Sequence, residues 1–159
     1  MASVLRTKLE AARTALQDLV EGVAGVGPVY PYIRNVNLEA TVQEILKDTA
    51  GRYHFWQLGI SADAPETLRW QGGECTRVRA NFDVHGYLAV NDLAKPPSEL
   101  VFEGLVADVL SALDSDSGRT LGDLALSAGP VSRLQGGHVI LTSVLCHYAR
   151  ITVPCEFLI

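Results

Sequence analysis

The chain has 159 residues, a length that suits one domain with a substantial core. Thirteen Lys and Arg against 18 Asp and Glu give a net charge of −5 with no basic cluster, which excludes a protein that grips phosphate backbones by bulk electrostatics. At 48 % apolar, the chain has hydrophobic surface to spare for a subunit interface.

"MASVLRTKLEAARTALQDLV" threads Arg6, Lys8, Glu10 and Arg13 through its apolar residues, so it lacks the continuous apolar core of a signal peptide. Leu5, Leu9, Ala12, Leu16, Leu19 and Val23 recur at spacings of three and four, which predicts a helix over about 3–21. Gly22, Gly25, Gly27 and Pro28 stop it. "GVGPVYPYIRNV" then reads as an extended, structured loop. "NLEATVQEILKD" predicts a short helix that Asn37 can cap. "RYHFWQLGIS" is aromatic and β-branched, the composition of a strand, and "ADAPETLRWQGGEC" reads as a hairpin connection.

"TRVRANFDVHGYLAVN" is the clearest strand. Val78, Ala80, Phe82, Val84, Leu88 and Val90 point one way, and Arg77, Arg79, Asn81, Asp83, His85 and Tyr87 point the other. "KPPSELVFEGLVADVLSALDSD" is a helix with Ser98 as its expected N-cap and Phe102, Leu105, Val106, Val109, Leu110 and Leu113 on its buried face. A glycine-rich connection follows, carrying a short strand near Leu124. "HVILTSVLCHYARITVPCEF" reads as one long strand, apolar on both faces over 139–145 and so central in its sheet. The order predicts an α+β fold: a single domain over 1–159, with an antiparallel sheet of about four strands and the two main helices packed on one face. The apolar residues of that face, Val78, Phe82 and Val84, are expected against Phe102, Val106 and Val109.

The reactive residues give little support for catalysis. Cys146 and His147 are adjacent, so on a strand they face opposite sides, and Cys155 lies roughly 26 Å from His147 at about 3.3 Å per residue. His54, His85, His138 and His147 have no metal-ligand spacing. The three cysteines are an odd, widely spaced set without CxxC, which reads as free thiols in a reducing compartment. Asp63, Glu66 and Glu74 in one loop and Asp114, Asp116 and Asp123 in another sit among small polar residues, as solvated carboxylates do. "DSDSGRTLGD" is a loose likeness of a calcium loop without its final glutamate, and phosphate-loop, nucleophile-elbow and dinucleotide glycine motifs are missing.

The segments taken together resemble the tail terminator (tail completion, minor tail) proteins of long-tailed bacteriophages. The resemblance covers most of the chain: a helix of the type "VLRTKLEAARTALQDLV", a strand like "YHFWQLGI", and an Arg-bearing strand ending in a glycine–aromatic pair, "RVRANFDVHGYLAV". A helix such as "ELVFEGLVADVLSALDS", then "LGDLALSAGP", then the final strand complete it. The insertion "GPVYPYIRNVNLEATVQEILKDTAG" is longer than in the simplest members and bears on which surface makes subunit contacts.

What the resemblance implies is a structural virion protein, not an enzyme. It would form a six-fold ring at the head-proximal end of the tail, assembled in the host cytoplasm. The ring caps the tail tube, stops its growth and joins it to the head. The implied partners are further copies of the chain, the tail tube protein and the head–tail connector, with DNA only passing through the lumen, no cofactor and no membrane. The alternatives are a connector or neck component, and a small α+β enzyme or ligand-binding domain. A cyclic interface above two-fold joins two different patches. Tyr30, Tyr32 and Arg34, with Phe157, Leu158 and Ile159, are the expected subunit contacts by residue type. Arg69, Trp70, Asp116 and Arg119 are the expected contacts to tube or connector.

Overall fold

The computed structural model describes residues 2–33, 52–61, 66–69, 76–115, 126–127 and 131–159. The helix expected from "NLEATVQEILKD" lies outside them. So do Arg34, Trp70, Cys75, Asp116 and Arg119.

Helix α1 spans Ala2–Glu21 and buries Ala12, Leu16 and Val20 completely, with Leu9, Ala15 and Leu19 partly covered beside them. Gly25 and Gly27, at φ of +79° and +78°, turn the chain into β1, Val29–Tyr30. The remaining described elements are β2 (His54–Ile60), β3 (Glu66–Arg69), β4 (Thr76–Ala89), α2 (Ser98–Leu113), β5 (Leu126–Ser127), β6 (Ser132–Leu141) and β7 (Val144–Leu158).

The fold is α+β, as the element order requires, but the sheet is wider than about four strands. Antiparallel β4 and β7 form its centre, in register from Arg77 opposite Leu158 to Ala89 opposite Cys146. Strands β2 and β3 lie end to end along the free flank of β4, and β6 and β5 share the far flank of β7. Strand β1 adds a parallel edge to β2. Seven strands thus occupy five positions across the sheet among the described residues.

Two readings of the sequence need correction. The segment "ADAPETLRWQGGEC" is not merely a connection, because its Glu66–Arg69 stretch pairs with Arg79 back to Thr76. Its alternation is too short to signal a strand without its partner. The supposed long final strand is a hairpin of β6 and β7. Thr142 and Ser143 turn it with φ of 42° and 74°, the two positive values of a type I′ turn. The Asn-Gly or Asp-Gly signal that usually marks such a turn is missing. The apolar run over 139–145 is therefore not central. It spans the hairpin tip, where Ile140 and Leu145 pair and are both exposed.

Both described helices cover one face of the sheet. Phe82 and Val84 enter the main core with Phe102, Val106 and Val109, as expected, together with Trp56, Ile151 and Phe157. Val78 is buried but lies outside that cluster. Ser98 does not cap α2: Pro97 holds the cap position without a side-chain hydrogen bond. The Ser98 hydroxyl instead accepts the Asn91 N–H at 2.7 Å and meets His147 Nε2 at 2.9 Å.

The Gly86–Tyr87 pair in β4 serves both faces. Gly86 lies opposite Trp56, whose ring fills the space where a β-carbon would stand. Tyr87, on the opposite side, stacks on Phe55 with centroids 4.6 Å apart. Around that stack a second, smaller core forms with Leu141 and Cys146.

Candidate assembly surfaces

The sheet face turned away from the helices carries the polar half of the β4 and β7 alternation. Direct and diagonal neighbours across these strands lie within side-chain reach, so the register dictates the pairs. Arg79 faces Glu156 and bonds it at 3.2 Å, while Arg77, on the diagonal, reaches the other carboxylate oxygen at 3.1 Å. Farther along, Asp83 accepts the Thr152 hydroxyl at 2.7 Å and Arg150 Nη2 at 2.7 Å. His85 Nδ1 then lies 2.9 Å from the Tyr148 hydroxyl, and Tyr148 packs on Tyr87. Three arginines thus meet two carboxylates along this ladder, although the chain as a whole is acidic.

Burial is uneven across this face. Glu156 and Asp83 are buried beneath their partners, whereas the Arg77 and Arg79 side chains remain 41 % and 48 % exposed. The aliphatic stems roof the carboxylates and leave the guanidinium groups toward water. His85 is held below the usual histidine range, chiefly by desolvation, with Asp83 opposing the shift. Desolvation also pushes Tyr87 up to about 12 and Cys146 up to about 11. Neither hydroxyl nor thiol is set up as a nucleophile near neutral pH.

On the helix side, α2 presents the opposite charge. Glu99, Glu103 and Asp108 lie on the exposed part of α2, a helix without Lys or Arg. Leu100 is 62 % exposed among them, and nothing stands within 4 Å of a β-carbon placed on Gly104. Beside α2, the His138 and His147 rings pack at a tilt of 47° with centroids 4.9 Å apart, and His147 is held low by burial and by His138. A cavity of about 610 Å³ lies at the other side of the α2 N-terminus, lined by Arg52, His54 and Lys95 over an apolar floor that includes Leu88 and Val101. Among the described residues no three His, Cys, Asp or Glu side chains are grouped to hold a metal ion, and no helix is long and apolar enough to cross a membrane.

The residues expected at subunit contacts separate. Phe157 does not belong to a contact surface: it is fully buried in the main core, because its parity on β7 places it on the helix side opposite Val78. Leu158, one residue on, points to the outer face opposite Arg77 and is 44 % exposed. Ile159 is half-buried. Tyr30 packs at the margin of the second core, and Tyr32 is 50 % exposed. The exposed Ile33 stands over Gly59, at the level of Asp83 on the ladder. Arg69 lies in β3, paired with Thr76.

The reading of residue types missed Glu156 and its two arginines. The signal was present in the parity of Arg77 and Arg79. Finding their partner required the β4–β7 register, which sequence spacing alone does not provide.

No family model and no curated protein matches the chain. One solved structure, whose designation carries no functional words, is similar over 100 % of this chain and 96 % of its own, with a TM-score of 0.50 and 13 % identity. At that identity the likeness shows the fold alone.

Proposed function

We propose that the chain is the subunit of a closed ring that caps a phage tail tube, a tail terminator. The observation that carries this reading is the order of its segments. An Arg-bearing strand ends in Gly86–Tyr87, an apolar helix follows, and a long closing strand returns beside the first. That is the pattern on which the resemblance rests. Two dissimilar charged surfaces on opposite layers suit a heterologous contact, which a ring needs and a two-fold dimer does not.

On this reading the function lies in surfaces, with no reacting residue and no cofactor. One pair of surfaces closes the ring; another meets the tube and the head–tail connector. The latter contact is assigned to Arg69, Trp70, Asp116 and Arg119. DNA passes through the lumen, where acidic side chains would repel it rather than hold it. The cavity beside His54 supports a second reading, a ligand-binding domain.

Native mass spectrometry separates the two readings. A particle near six times 17.1 kDa is expected, and virions lacking the protein should show over-long or headless tails in electron micrographs. A monomer at every concentration, with normal tails in its absence, would overturn the proposal.

A further inference from the structure

We infer that neighbouring copies join by seating the acidic face of α2 on the arginine end of the next copy's outer sheet face. This inference rests on the ring reading and names its contact. The first patch is Glu99, Leu100 and Glu103; the second is Arg77, Arg79 and Leu158.

The two patches match in kind. Each has two like charges and an exposed leucine, and the charges are opposite. On α2 the acids are one turn apart and without a basic residue on the same helix. On the sheet, Arg77 and Arg79 are two residues apart on one face, and Leu158 lies directly across from Arg77. The register fixes that geometry, and Glu156 anchors both guanidinium groups from below. Arginine is the cation suited to forked contact with carboxylates at interfaces. The patches occupy opposite layers of the subunit, so one copy cannot satisfy its own. A head-to-tail contact lets each copy use both. Gly104, with open space above it, lets a neighbour approach α2 closely.

Charge exchange tests this in the full-length chain. Glu99→Lys with Glu103→Lys makes both patches basic; Arg77→Glu with Arg79→Glu makes both acidic. Each variant alone should lose the ring, with the subunit concentration needed for assembly raised roughly a hundredfold or more by like-charge contact. Mixed in equal amounts they should recover a ring in which the two variants alternate, visible in native mass spectra as equal numbers of each. The α2 variant changes only exposed side chains, so its monomer should retain the parent circular dichroism spectrum. Should the Arg77/Arg79 reversal misfold by stranding Glu156, the Gln pair at 77 and 79 replaces it, and weakening by about tenfold or more is then expected. A wild-type ring that persists in the α2 variant, or folded variants that fail to recover a ring on mixing, would overturn the inference. A wild-type chain that forms no ring would overturn the ring reading instead.

Discussion

Gly86→Ala probes the packing that the β2–β4 register imposes, because it sets two known effects against each other. A β-carbon at Gly86 would stand 2.6 Å from two ring carbons of Trp56 and 2.8 Å from a third. Ordinary contact begins near 3.4 Å, so the ring must retreat by about 0.8 Å. Trp56 is fully buried and lies against Phe102, with centroids 6.2 Å apart, so the retreat pushes on α2. Overpacking of this kind costs about 1–3 kcal/mol. Against it, replacing a strand glycine by alanine returns roughly 0.5–1 kcal/mol by restricting the unfolded chain.

The clash should win, leaving a loss of roughly 1–2 kcal/mol. For a chain of this size that is a drop of about 2–8 °C in Tm. Urea titration and thermal melting measure it, and near-ultraviolet circular dichroism reports the tilt of the indole. In a Trp56→Leu background the same substitution should be neutral or stabilising, since the obstructing ring is gone. A neutral or stabilising Gly86→Ala in the parent chain, with unchanged aromatic signals, would refute the packing of Trp56 over Gly86.

Three further outcomes are expected. His85 and His147 are both held below the histidine range of about 6.5, so the unfolded chain binds more protons as pH drops through that value. Stability should be full above it and fall below it; His147→Gln should flatten the urea midpoint against pH, and an unchanged slope would contradict the burial assigned to this ring. Cys146 and Cys155, pushed up to about 11 and about 12 by burial, should resist a thiol reagent at pH 8 in the native protein and react once it is unfolded; mass mapping that finds either one labelled in the native state would refute this. Asp83→Ala strands Arg150 and Thr152 and should cost about 2–3 kcal/mol in a urea titration, and a loss under about 0.5 kcal/mol would show that the ladder adds nothing to stability.

The sequence was legible where one element carries its own period. The face of α1, the buried face of α2 and the alternation of β4 all follow from spacing, and each appears where expected. It was illegible where meaning depends on a partner. Glu66–Arg69 becomes a strand only beside Arg79–Thr76, and Thr142–Ser143 turns the chain without a glycine or asparagine to announce it. Phe157 illustrates the same limit. Residue type suggested a contact residue, but parity on β7 decides its face, and β7 could be phased only once its hairpin was known.

Among the described residues one sheet face carries no helix, and this chain does not make that face merely wet. It buries Glu156 and Asp83 there and holds arginines over them. Buried carboxylates are expensive unless paired, so stability alone does not explain the arrangement; hydrophobic residues would pack as well. What the carboxylates add is order. A free arginine loses much rotamer entropy when a partner immobilises it, whereas Arg77 and Arg79 are already restrained by one anchor. In the proposed ring, a subunit making several identical contacts would incur that entropy cost at every interface. Restraining the cations during folding lowers it each time, and the β4–β7 register sets where they stand.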